Sequence, residues 1–222
     1  MMEGAPGGGA RATAILPVKR LDSAKQRLAS GLDDERRRAL VAAMLRDVLA
    51  AIGGARMIEH TIVVSGEPVA VDLARESGAE VVADDADAGH PEAAMLGIEA
   101  AKARGASCVL LLPGDCPLLD PRDIDRLLTA VPDPYVAIVP DRHGTGTNAL
   151  LLRPPDAIRP AFGPGSCDRH VEAARAAEIP HGVERLESLA LDLDTPADLI
   201  ALTRAVGSGE KRGARTAKAL KL

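Results

Sequence analysis

The run Leu110-Leu111-Leu112, followed at once by Pro113-Gly114-Asp115-Cys116-Pro117, constrains this chain more than any other stretch. Three consecutive leucines leave no polar face, so the segment reads as a strand covered on both sides, as in a parallel sheet between helix layers. Proline and glycine stop the strand, and Asp115 stands where the chain leaves the sheet. Open α/β sheets bind ligands outside the carboxyl ends of their strands. Asp115 is therefore placed to hold a metal and a phosphate. A turn aspartate bonded to its own backbone is the alternative reading.

The surrounding pattern agrees with such a sheet. Strands are expected over 12–18, 61–65, 80–83 and 108–112, separated by helices over 34–52, 69–77 and 91–104. In the first helix Leu40, Val41, Met44, Leu45, Val48, Leu49 and Ile52 recur at helical spacing behind a capping Asp33. They read as core. Asp120-Pro121-Arg122-Asp123 carries a cap signature, which makes Asp120 structural. This β-α alternation predicts one doubly wound α/β domain over 12–206, with a more mixed β region after Leu128. Residues 1–11 read as a flexible start and 207–222 as a basic tail without fixed structure.

With only Tyr135 and Phe162 as aromatics, the core has to be built from Ala, Val, Leu and Ile. The net charge of −5 argues against a dedicated nucleic-acid binder. It leaves room for a nucleotide enzyme, because a divalent cation can bridge carboxylates to phosphates. Cys108, Cys116 and Cys167 are too widely spaced for a disulfide framework or a zinc site; Cys108 reads as core and the other two as loop residues. The five histidines fit no metal spacing and read mostly as surface residues. No segment is apolar enough over a sufficient length to span a membrane, and the expected location is the cytoplasm.

Five further stretches carry candidate chemistry. After the first strand, Lys19, Arg20, Lys25 and Arg27 place four cations within nine residues. They would suit a polyphosphate, or form a solvated basic loop. The acidic loop 84–90 leads into a helix whose start could receive a base or phosphate, though its carboxylates would repel an unshielded anion. The loop Asp141-Arg142-His143-Gly144-Thr145-Gly146-Thr147-Asn148 offers hydroxyls and amides to an oxyanion, or is a hairpin connection. Gly163-Pro164-Gly165-Ser166 precedes a helix to about Ala177, with Ser166 as cap, as part of an anion pocket, or as both. Finally, Asp192-Leu193-Asp194 read as a strand puts two carboxylates on one face, roughly 6–7 Å apart, close enough to share a cation. Thr195, Pro196 and Asp198 already supply a helix start after them.

Taken in order, Pro17-Val18-Lys19 with Ala24-Lys25 and Arg27-Leu28, Asp115 with Pro117-Leu118, His143 to Asn148, Phe162 to Ser166, and Asp192-x-Asp194-Thr195-Pro196 resemble one family. It is the guanylyltransferases of coenzyme F420 biosynthesis, and the likeness runs from Ala14 to Ile200. The resemblance implies a single-domain, Rossmann-like nucleotidyltransferase fold, similar to the molybdenum-cofactor guanylyltransferases, with a mostly parallel mixed sheet and helices on both faces. It implies that Thr147, Gly163 and Ser166 hold the acceptor, that Asp115, Asp192 and Asp194 hold Mg2+, and that Lys19, Lys25 and Arg27 stabilise leaving pyrophosphate. The implied substrates are GTP and a three-carbon phosphorylated acid, phosphoenolpyruvate first, with 2-phospho-L-lactate and 3-phospho-D-glycerate as alternatives. A downstream transferase of the F420 pathway would take the product. Two positions depart from the family, which often has Ser where Gln26 stands and Gly-Leu-Asn in place of Gly89-His90-Pro91. Transfer of CMP, sugar transfer and a non-catalytic GTP-binding module are the rival readings. These residues do not set the oligomeric state, and a homodimer is compatible with them.

Overall fold

The structure is a computed structural model that describes residues 11–20, 33–193, 195–207 and 212–221. Among these residues seven strands form one sheet: β1 (Ala12–Pro17), β2 (Ile58–Val64), β3 (Glu80–Val82), β4 (Val109–Leu111), β5 (Tyr135–Pro140), β6 (Thr147–Arg153) and β7 (His181–Val183). Their order is β3-β2-β1-β4-β6-β5-β7. Only β6 runs against its neighbours, β4 and β5; every other pairing is parallel. The helices are α1 (Asp34–Gly54), α2 (Pro68–Glu76), α3 (His90–Ala103), α4 (Pro121–Ala130), α5 (Ser166–Ala176), α6 (Pro196–Gly207) and α7 (Ala214–Ala219).

The leucine run does what its composition requires. Leu110 and Leu112 pack into the layer with Leu45, Val48 and Ile52 of α1 and Ile124, Leu127 and Leu128 of α4. Leu111 faces the other way, into the layer with Ala94 and Ile98 of α3 and Ala174 of α5. Both helix layers are needed because each strand of the sheet centre alternates between them. At Gly97 the approach of α3 is so close that a Cβ would run into Ile15 and Val64, which explains a glycine inside that helix.

Local signals set most boundaries. The Asp33 carboxylate accepts from Arg36 N–H at 2.8 Å and caps α1, and Asp120 accepts from Arg122 N–H at 2.9 Å and caps α4. Strand β7 was not foreseen: His181-Gly182-Val183 is too short and too polar to read as a strand, and forms because β5 offers it an open edge. Two expectations are corrected. Residues Ala214–Ala219 of the expected unstructured tail form α7, packed on α1, with Thr216 fully buried. Their N-terminal N–H groups are satisfied by Asp47, far away in sequence. Cys167 lies on α5 rather than in a loop, and all three cysteines are buried. Among the described residues, no helix is long and apolar enough to cross a membrane.

Candidate active site

The carboxyl ends of β1 and β4 lie side by side, tied by Leu112 N–H to Ile15 O at 2.9 Å, and Val18 N–H continues the pairing to Val64 O. Lys19 leaves β1 here, exposed, and Asp115 leaves β4. The acidic segment 190–193 does not form the expected strand. The backbone bond from Leu193 N–H to Asp115 O at 3.2 Å docks it there, together with packing of Leu193 on Leu40, Met44 and Leu202. That bond carries Asp192 to the edge where Asp115 sits. A regular strand fails here because β4 is already flanked by β1 and β6, so no sheet edge is open to 190–193. Asp194, like Lys25 and Arg27, falls outside the described residues. Among those described, no three His, Cys, Asp or Glu side chains form a metal cluster.

His90 opens α3 behind Gly89, whose φ of 128° a side chain would resist. Burial pushes the His90 pKa below its ordinary value; the Asp115 carboxylate opposes this and the Lys19 ammonium reinforces it. The His90 ring meets Phe162 edge-on with centroids 4.9 Å apart, and Phe162 meets His170 edge-on at 5.4 Å. This file of rings joins the Asp115 edge to the second half of the site.

That second half is built on the β5–β6 hairpin and the start of α5. The hairpin reading of 141–146 is correct, and its amides are not free for a ligand. The Asp141 carboxylate accepts from His143 N–H at 3.0 Å, Thr145 N–H at 3.0 Å and Gly146 N–H at 2.9 Å. Burial disfavours its charge, but those backbone donors win and hold its pKa below the ordinary carboxylate value. The loop is instead a rigid bracket. Cys167 N–H bonds Thr145 O at 3.2 Å, Asn148 Nδ2 donates to Leu189 O at 2.7 Å, and Arg142 pairs with the buried Asp198 at 2.6 Å. Asp198 also accepts from Thr195 N–H and Oγ1, as expected of that helix start.

Thr147, Gly163 and Ser166 converge. Gly163 has φ 116° and Gly165 φ 71°, so both glycines are required by the turn. Gly165, not Ser166, is the N-cap of α5, and Ser166 makes no capping bond. Its Oγ is fully buried and has no hydrogen-bond partner among the described residues. Arg169 clasps the loop through Ala161 O at 2.7 Å and through Pro164 O.

His170 was missed in the sequence and is the best-packed histidine, with no exposed surface. It accepts from Ala161 N–H at Nε2, 2.8 Å, and lies 3.0 Å from Thr147 Oγ1 through Nδ1. Its position one helical turn after Ser166 was the available signal, since residues four apart share a helix face. Burial, aided by Arg169, pushes its pKa down to about 4. Between pH 6.5 and about 4 the unfolded chain therefore takes up a proton that the folded chain refuses, so stability falls as pH drops through that window. The loss for this group is about 2 kcal/mol by pH 5. Urea titrations should show the stability gap between wild type and His170→Gln narrowing from pH 7 to pH 5; a gap independent of pH would contradict the buried neutral ring.

Residues 12–215 match the family model described as guanylyl transferase CofC like. A phosphoenolpyruvate guanylyltransferase from Conexibacter woesei is 45% identical over 205 residues, covering 91% of this chain and 92% of its own. The protein of the same name from Sphaerobacter thermophilus is 44% identical over 186 residues, covering 84% and 89%. Among solved structures, a nucleotidyl transferase from Methanothermobacter thermautotroptrophicus shares the fold, with a TM-score of 0.64 at 15% identity over 90% of this chain and 100% of its own. A family match across nearly the whole folded chain and relatives above 40% identity lead to one placement: the chain belongs to the CofC-like guanylyl transferases.

Proposed function

We propose that this protein transfers GMP from GTP to phosphoenolpyruvate, releasing pyrophosphate and forming enolpyruvyl-diphospho-guanosine for coenzyme F420 biosynthesis. The observation that carries the reading is the joining of two half-sites by the rings of His90, Phe162 and His170. One half presents Asp115 and Lys19 at the sheet edge, and the other presents Thr147, Gly163 and Ser166. Relatives named for this reaction, 45% and 44% identical, support the choice of substrates.

The acceptor's phosphate is its own nucleophile. A phosphate monoester is largely dianionic at neutral pH, with a second pKa of about 6, so no general base is needed. Its oxygen forms a bond to the α-phosphorus of GTP while the bond from that phosphorus to the β-phosphate oxygen breaks. Catalysis then reduces to alignment and to neutralising charge. Thr147 and the backbone around Gly163 hold the acceptor. A bound anion would also satisfy the orphaned Ser166 hydroxyl, which otherwise costs about 1–3 kcal/mol. Lys19 faces the triphosphate, joined by Lys25 and Arg27 in our reading. Asp115, Asp192 and Asp194 would hold a magnesium ion, which one or two carboxylates suffice to bind. When bound, such an ion polarises phosphoryl oxygens and offsets their charge. The next transferase of the pathway would consume the product.

The test offers phosphoenolpyruvate, 2-phospho-L-lactate and 3-phospho-D-glycerate separately, each with GTP or CTP and magnesium, and measures pyrophosphate. Release with GTP and phosphoenolpyruvate above the other pairs is expected. Preference for CTP would make the protein a cytidylyltransferase, and tight GTP binding without release for any acceptor would make it a binding module.

A further inference from the structure

The ring of His170 touches two of the elements that build the acceptor pocket and sits on the third. Its Nε2 receives the Ala161 N–H at 2.8 Å. A backbone amide can only donate, so Nε2 is bare and the single ring proton of the neutral imidazole lies on Nδ1. Nδ1 is 3.0 Å from Thr147 Oγ1, so there the ring donates and the hydroxyl accepts. With that lone pair engaged, the threonine's own proton has to point away from the ring. In the opposite tautomer Thr147 would donate to Nδ1 and turn lone pairs toward the pocket, which would repel an anion.

We infer that His170 is a positioning residue for the acceptor: by donating from Nδ1 to Thr147 it fixes the threonine hydroxyl as a donor to the acceptor's phosphate. The inference rests on the proposed acceptor site. The same ring tethers the first residue of the 161–165 loop, which carries Gly163, to α5, which carries Ser166. Phe162 packs edge-on against the ring, which has no exposed surface.

The two bonds can be separated by substitution. Asn places an amide N–H near the Nδ1 position and keeps the donor to Thr147, while Gln places a carbonyl near Nε2 and keeps the tether to Ala161. Calorimetric titration with phosphoenolpyruvate, and separately with GTP, reads the result. His170→Gln should weaken phosphoenolpyruvate about 10-fold, the worth of one neutral hydrogen bond, and leave GTP binding within about twofold. His170→Asn should stay near wild type for both ligands. In a Thr147→Val background, His170→Gln should cost phosphoenolpyruvate nothing further. The inference is overturned if His170→Gln binds phosphoenolpyruvate as wild type does, if its loss persists in Thr147→Val, or if both ligands weaken together. Should either variant fail to fold, 15N shifts of the wild-type ring decide: a protonated Nδ1 supports the inference, and a protonated Nε2 overturns it. Pyrophosphate release by the wild type is a separate readout, so failure of the proposed reaction leaves the binding ratios interpretable.

Discussion

Asp115→Asn is expected to lower the rate of pyrophosphate release by at least about 100-fold while the fold survives. The size follows from the position. Asp115 stands at the carboxyl end of β4, close enough to His90 for their charges to interact, and in the proposed reaction it is the carboxylate nearest the reacting phosphates. Loss of a main electrostatic contact to a reacting phosphoryl group costs about 10²–10³ in rate. The fold should persist because the bond that docks 190–193 uses the Asp115 carbonyl, which asparagine retains. Initial rates at saturating magnesium, with circular dichroism as the control, provide the check. A variant with near-full activity there would remove Asp115 from any metal-binding role.

The second large effect is expected at a residue far from the substrates. Asp47→Ala should lower stability by about 3 kcal/mol, which for a chain of this size lowers Tm by roughly 6–12 °C. Asp47 is buried on α1 and accepts from Thr216 N–H at 2.9 Å, Thr216 Oγ1 at 2.8 Å, and Arg215 N–H and Nη1 at 3.3 Å each. Alanine would strand the Thr216 donors in a site from which water is excluded. A six-residue helix has no stability of its own, so α7 would come loose. That matters for activity because the residue before α7, Gly213, sits against Pro117 and Leu118, directly beyond Asp115, with a φ of 67° that disfavours any side chain. Arg212 adds an ion pair to Asp120 at 3.2 Å. Thermal melts measure the effect, and a drop below about 2 °C would show that the C-terminal helix is only appended.

What could be read from the amino-acid order, and what could not, follows the range of the interactions involved. The central strands were legible because Leu110 to Leu112 alternate between two covered faces, and α1 because its apolar stripe and Asp33 cap are local. The family motifs placed Thr147, Gly163 and Ser166 together, as the structure does. Elsewhere two residues competed for one role and the sequence could not choose. Asp141 takes the loop amides that otherwise look offered to an anion. Gly165 takes the cap position that Ser166 could have filled. Asp192 comes to the Asp115 edge through its neighbour's backbone bond to Asp115 rather than through a strand. The basic composition of the last residues hid α7, because its cap lies on a different helix. His170 was passed over because its place one turn after Ser166 marks only a shared helix face, and its role depends on two partners, Thr147 and Ala161, distant in sequence or in a loop.

The reversed direction of β6 has a further consequence for how such a protein can change. In an all-parallel sheet, consecutive strands reach the binding edge only through long crossovers, so every contribution to a pocket comes from a distant part of the chain. Here a hairpin turns back at that edge, and the start of β6 delivers Thr147 directly beside the start of α5. The acceptor pocket we propose is thus encoded by one contiguous stretch, from Asp141 to His170, whereas the proposed nucleotide half is scattered over β1, α3 and β4. One half can be exchanged as a cassette and the other cannot. A graft of 141–170 between relatives should therefore carry acceptor preference with it and leave the choice of nucleotide behind.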